Sequence, residues 1–151
     1  MNVVIASDHA GFNYKNQLIN FLKNKGYETD DLGPSQPNPE DDYPDFAAKL
    51  ALGIQQGKYE RGILICGSGV GVSVAANKFK GIRAAVCHDS YSAHQGVEHD
   101  NMNLLCMGSR IIGTELMFEL AEIFLKAKFS NEERHLRRYN KMIQIEAGNF
   151  R

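Results

Sequence analysis

The chain has no apolar run approaching the roughly 20 residues of a membrane span, which argues against a transmembrane helix. It has little net charge: 17 Lys+Arg against 18 Asp+Glu leave −1. No general attraction to nucleic acid or an anionic membrane follows, so any anion must be held by local arrangement. Cysteine is scarce: Cys66, Cys87 and Cys106 are odd in number and form no CxxC pair. A disulfide framework and a cysteine zinc site are disfavoured, and a reducing cytoplasm is the simplest reading. Met1-Asn2-Val3-Val4-Ile5 is already strand-like, without the basic n-region of a secretory signal. All four prolines lie in one stretch, Pro34 to Pro44, with no internal repeat or low-complexity tract elsewhere. What remains is 151 residues, 43% hydrophobic, enough to bury the core of one domain spanning 1–151.

Apolar periodicity alternates between strand and helix. Val3 to Ser7 reads as a buried strand, Phe12 to Lys25 as a helix stopped by Gly26, and Tyr27 to Leu32 as a weak strand. The loop from Gly33 to Pro44 carries the acidic run Glu40-Asp41-Asp42, and loops this long in compact domains are often functional. Pro44 opens a second helix, ended by Gly57; Gly62 to Cys66 is a third strand, and a helix follows its glycine turn. Arg83 to Cys87 and Asn103 to Met107 are strands around a helix starting at Ser90, and Thr114 to Lys128 is strongly amphipathic. The last helix, about 131–147, is polar enough to reach across a neighbour rather than build the core. These elements predict a three-layer α/β sandwich, flavodoxin-like or Rossmann-like, with a five-stranded parallel sheet in the order 2-1-3-4-5. Ligands of such sheets bind outside the strand carboxyl ends at the switch point, here between strands 1 and 3. Strand 1 ends at Asp8-His9 and strand 3 at Cys66-Gly67-Ser68, so the two motifs should face each other.

Gly67, Gly69 and Gly71 alternate after Cys66. The spacing is not the G-x-G-x-x-G of a dinucleotide fold, and the turn follows the third strand rather than the first. No Gly-Lys-Ser/Thr of a Walker loop is present, and Val72 stands where a cysteine phosphatase loop needs Arg. What fits is a small-anion hole of backbone N–H groups beside a thiol. A lone cysteine is most often core, but one at a helix N-terminus is more easily ionised. Cys87 and Cys106 lack such a turn and read as core. Asp8 could equally cap the following helix. Arg134 and Arg138, four apart, share a helix face that could hold phosphate or simply be solvated. Pattern alone barely distinguishes His99, in Glu98-His99-Asp100-Asn101, from the other histidines, and Arg110 is equally ambiguous.

Taken together, Ile5-Ala6-Ser7-Asp8-His9-Ala10-Gly11-Phe12, Asp42-Tyr43-Pro44, Gly62 to Gly71 with Ala75-Ala76-Asn77-Lys78, Gly81-Ile82-Arg83-Ala84, Tyr91-Ser92-Ala93, Glu98-His99, Gly108-Ser109-Arg110 and Arg134-His135 resemble the ribose-5-phosphate isomerase B family, which also takes in galactose-6-phosphate isomerase subunits. The resemblance covers essentially the whole chain. It implies interconversion of D-ribose 5-phosphate and D-ribulose 5-phosphate through a cis-enediolate, with no cofactor and no metal. Allose 6-phosphate or galactose 6-phosphate is the alternative substrate, and a non-catalytic phosphosugar-binding protein the alternative class. Carried over, Cys66 is the base, Ser68 handles the enediol oxygens, and His99 with Asp8 assists ring opening. The N–H groups across Gly67, Gly69, Val70 and Gly71 hold the enediolate charge. His9, Arg110, Arg134 and Arg138 hold the phosphate, with Arg137 the rival of Arg138. Tyr43 lines the pocket, and Asp100, where the family usually has Asn, bears on sugar preference. The resemblance also implies a homodimer or tetramer in which His99 and Arg110 come from the partner subunit.

Overall fold

The computed structural model describes residues 1–149. Five parallel strands, β1 (Asn2–Ser7), β2 (Glu28–Asp31), β3 (Arg61–Cys66), β4 (Ala84–Val86) and β5 (Leu104–Gly108), are interleaved with six helices. The helices are α1 (Phe12–Asn24), α2 (Tyr43–Gln55), α3 (Val70–Ala76), α4 (Ser90–Asp100), α5 (Thr114–Lys126) and α6 (Glu133–Glu146).

Strand side chains alternate between faces, and each face has its own core. Val3, Ile5, Ile63, Ile65, Leu105 and Met107 pack with Leu18, Val97, Leu120 and Phe124 of α1, α4 and α5. Val4, Ala6, Leu64, Cys66, Leu104 and Cys106 pack with Leu50, Ala51, Val72 and Ala76 of α2 and α3. Parity therefore puts Cys66, the last residue of β3, on the α2/α3 face.

The sheet order is β2-β1-β3-β5-β4, not the expected 2-1-3-4-5. Every residue of β5 is buried, whereas β4 has three residues, all half-buried. The longer, fully apolar strand takes the interior place beside β3, and the short one, following Arg83, takes the edge. The switch point between β1 and β3 is unaffected.

Lys15 of α1 is fully buried, with Nζ 2.6 Å from Asp31 Oδ2 on β2. Helix α6, expected to reach across a neighbour, packs on α4 within the chain. The Arg83 guanidinium stacks over Tyr139, and the Gly81 N–H donates to Glu146. His135 is its one buried residue.

Candidate active site

Strand β3 delivers Cys66 to the carboxyl edge of the sheet, 5% exposed. The chain then turns through Gly69, whose φ of +80° lies in the left-handed region that disfavours side chains. This turn folds the main chain back over the thiol, and the Gly69 N–H donates to Cys66 Sγ at 3.0 Å. Negative charge on sulfur strengthens such a bond. Ser68 Oγ accepts from the Val70 N–H at 3.2 Å, and its residue lines the crevice. The first N–H groups of a helix have no intrahelical acceptor, and here they sit beside the thiol.

The interior position of β5 builds the next wall. The Ser109 N–H donates to the Cys66 carbonyl at 2.8 Å, and the Arg110 N–H to the Gly67 carbonyl at 3.0 Å. The turn after β5 is thereby stitched to the turn after β3, while Ser109 Oγ donates to the Ala10 carbonyl at 2.7 Å and ties in β1. Gly67 leaves room for the arginine: a Cβ there would lie 3.2 Å from Arg110 Nη1. Arg110 thus joins Cys66 of its own chain, which corrects the expectation that a partner supplies it. With β5 at the sheet edge Arg110 would have been distant from Cys66; beside β3 it is adjacent.

From β1, Asp8 is buried and its Oδ1 accepts the Gly11 N–H at 3.1 Å. It closes the turn before α1 and does not cap the helix, whose N-cap is Gly11. His9 is partly exposed and pairs through Nδ1 with Asp41 Oδ1 at 2.6 Å. Tyr43, at the start of α2, lays its ring against Gly71, where a Cβ would meet ring carbons at 2.8 Å. Asp8, His9, Tyr43, Cys66, Gly67, Ser68, Gly71 and Arg110 line one crevice of about 320 Å³. Among the described residues, Asp8, His9 and Asp41 are the group whose ligand atoms lie close enough, within 4.8 Å of one another, to hold a metal ion. One oxygen of Asp8, one of Asp41 and the His9 Nδ1 are already engaged in internal hydrogen bonds.

The remaining predicted residues are elsewhere. His99 sits in the last turn of α4, not in a loop, stacked on His135 with ring centroids 3.9 Å apart. Its Nδ1 is 3.0 Å from Gln95 Nε2, and Ser130 Oγ is 2.6 Å from His135 Nδ1. Burial, then the neighbouring His99 and Arg134, hold His135 below the ordinary histidine range. Arg134 and Arg138 are exposed on α6, and Arg134 Nε contacts Glu132 at 3.1 Å. Asp100 lines a separate cavity of about 510 Å³ between α4, β4 and α6. That cavity is larger than the Cys66 crevice but is mostly apolar and holds no nucleophile. Gly69 and Val70 belong to the turn without lining the crevice.

The other two thiols are unsuited to acid–base work. Burial pushes Cys87 up to about 11 and Cys106 higher still. Asp41, Ser109 and His88 were missed from the sequence. The His88 Nε2 accepts the Gly108 N–H at 2.9 Å, and burial holds this histidine below its ordinary range. Asp41 carried a signal in the acidic run of the proline-rich loop, and Ser109 in the Gly108-Ser109-Arg110 motif.

Fold and crevice together define an open α/β protein with a buried thiol, an N–H-rich turn, an arginine and a histidine, the equipment for proton transfer on a small anionic substrate. The family model described as Ribose/Galactose Isomerase matches residues 3–142, and the chain belongs to that family. It is 44% identical to a ribose-5-phosphate isomerase B from Clostridium thermocellum, with a TM-score of 0.94 over 98% of this chain and 99% of that one. It is 42% identical to the Mycoplasma genitalium ribose-5-phosphate isomerase B solved with bound ribulose-5-phosphate, with a TM-score of 0.92 over 97% and 96%. It is also 41% identical to the D-erythrulose-4-phosphate isomerase of Pectobacterium atrosepticum, over 85% of each chain.

Proposed function

We propose that the protein is an aldose–ketose isomerase interconverting D-ribose 5-phosphate and D-ribulose 5-phosphate, with Cys66 as the base. The observation that carries this is the Cys66 thiol under the Gly67–Gly71 turn, its sulfur accepting the Gly69 N–H. In the aldose-to-ketose direction the Cys66 thiolate takes the proton from C2. The C–H electron pair forms the C1–C2 double bond of the enediolate as negative charge moves onto the oxygen at C1. The proton of the C2 hydroxyl passes to the oxygen at C1, and the Cys66 thiol returns its proton to C1 as C2 becomes the ketone. Backbone N–H groups aimed at such an oxyanion are typically worth about 3 kcal/mol each. Ser68 exchanges hydrogens with the enediol oxygens, and Asp8 assists ring opening.

His9 and Arg110 of the same chain anchor the phosphate, and Tyr43 covers the sugar. His99, Arg134 and Arg138 lie on α4 and α6, away from their own Cys66 crevice, and in our reading a second copy presents them to it. A homodimer would then carry two shared sites. The three cysteines are all free and buried, which suits the cytoplasm.

A second substrate reading follows from the relative named D-erythrulose-4-phosphate isomerase, and the family description extends it to six-carbon sugars. The test is turnover of four-, five- and six-carbon aldose phosphates, with Cys66→Ala as control. Highest kcat/KM with ribose 5-phosphate supports the leading reading; a preference for another sugar moves the assignment to it. Mixing inactive Cys66→Ala with inactive His99→Asn tests sharing: random heterodimers should restore roughly a quarter of wild-type sites under two-fold symmetry. No recovery contradicts the shared site.

A further inference from the structure

His9 is gripped from behind. Its Nδ1 lies 2.6 Å from Asp41 Oδ1, while His9, and not Asp41, lines the Cys66 crevice. The Asp41 side chain is 10% exposed, and His9 is its hydrogen-bond partner among the described residues. Its second oxygen, Oδ2, is buried without a partner. A buried carboxylate is costly unless it is paired, so this one is not bland loop polarity. The backbone holds it there: the Asp41 N–H donates to the Asn38 carbonyl at 3.0 Å, and Asn38 Oδ1 accepts the Glu40 N–H at 3.0 Å.

We propose that Asp41 is a positioning residue for phosphate binding, fixing the ring of His9 so that Nε2 is the nitrogen presented to the crevice. Asp41 and a phosphate can both only accept, so the ring that bridges them carries a proton on Nδ1, toward Asp41, and on Nε2, toward the phosphate. The ring plane and the Nε2 direction are then set before substrate arrives, as acceptors behind metal-bound histidines orient those rings. This rests on the reading that His9 contacts the phosphate.

The experiment compares Asp41→Ala, Asp41→Asn and His9→Ala in the full chain. It measures KM and kcat for ribose 5-phosphate and the inhibition constant of inorganic phosphate. Losing an acceptor for a group that binds an anion should raise both KM and the phosphate inhibition constant about five- to tenfold, with kcat changed less than about twofold. Asp41→Asn, whose amide oxygen can still accept from Nδ1–H, should recover most of the loss. In Asp41→Ala combined with His9→Ala, the penalty of His9→Ala alone should remain, without a further increment. The ¹⁵N shifts of the His9 imidazole report directly which nitrogens carry protons, even if Asp41→Ala folds poorly, because Asp41→Asn and the wild type can be compared. An Asp41→Ala enzyme with unchanged phosphate inhibition, while His9→Ala weakens it, overturns the inference and leaves the His9 reading intact. Unchanged inhibition in His9→Ala overturns that reading and the inference with it. A wild-type His9 with its proton on Nε2 and a bare Nδ1 also overturns the inference.

Discussion

Substituting Gly71 by Ala separates fold from function at this site. Gly71 lies in the first turn of α3, and a Cβ there would approach Tyr43 ring carbons to 2.8 Å. Comfortable carbon–carbon contact begins at about 3.5 Å, so the ring must move by roughly 0.7 Å. It can, because Tyr43 is 42% exposed and the three atoms nearest that Cβ all belong to its ring. In an ordinary helix interior, Gly→Ala gains about 1 kcal/mol, which offsets the cost of moving the ring. Stability should therefore stay within about 1 kcal/mol of wild type, a melting shift of no more than about 4 °C for a domain of this size. Catalysis should not be spared. The displaced ring narrows a crevice of about 320 Å³ over the reacting carbons. Misplacement on the order of 1 Å can cost up to about 100-fold. We expect kcat/KM to fall about 10- to 100-fold, or about 1.4 to 2.7 kcal/mol of transition-state stabilisation. Thermal melts and steady-state kinetics with ribose 5-phosphate measure both halves. In a Tyr43→Ala background the same substitution should add little. Wild-type kcat/KM in Gly71→Ala, or a loss undiminished when Tyr43 is removed, would refute this account of the crevice wall.

Gly108→Ala should behave in the opposite way: its Cβ would meet the Ser68 backbone at 2.7 Å, which cannot swing aside, so stability should fall by about 1–3 kcal/mol together with activity, seen as a lowered denaturation midpoint. Cys87→Ala and Cys106→Ala should keep kcat within about twofold, because buried thiols held up to about 11 and beyond are not ionised at neutral pH, and should each cost about 1 kcal/mol in urea denaturation. His88 and His135 are both held below the ordinary 6.5, so near and below that pH the unfolded chain binds more protons than the folded one. Stability should accordingly fall as pH drops through about 6.5, measured as melting temperature at pH 7.5 and 5.5, and His88→Gln should flatten that slope. A melting temperature that rises on acidification contradicts both assignments.

The crevice was legible because strand ends are legible. Val3–Ser7 and Gly62–Cys66 are apolar runs, each broken by polar chemistry at its carboxyl end, and the switch-point rule puts those ends together whatever the outer strands do. The outer order was not legible from alternation of elements, since β4 and β5 are both preceded by helices. The signal lay in composition: Leu104-Leu105-Cys106-Met107 is uninterruptedly apolar, whereas β4 is three residues preceded by Arg83. The place of Arg110 beside Gly67 likewise depends on β5 lying next to β3. The His9–Asp41 and His99–His135 pairs join residues far apart in sequence through loop and helix packing, on which local periodicity is silent. Tyr43 lines the crevice, but its reliance on a glycine at 71 emerges only when a methyl group is built there.

The most direct test of the central claim follows the carbon-bound hydrogen itself. Ribose 5-phosphate is incubated in D₂O with wild type and with Cys66→Ala, and deuterium at C2 of the aldose and C1 of the ketose is followed by NMR. If Cys66 is the base, wild type incorporates solvent deuterium and turns over, while Cys66→Ala loses exchange and turnover together by about 100-fold or more. It should still be inhibited by inorganic phosphate at near wild-type concentrations. Continued exchange in Cys66→Ala at a rate close to wild type would show that another group takes the proton, and the account would fail at its centre.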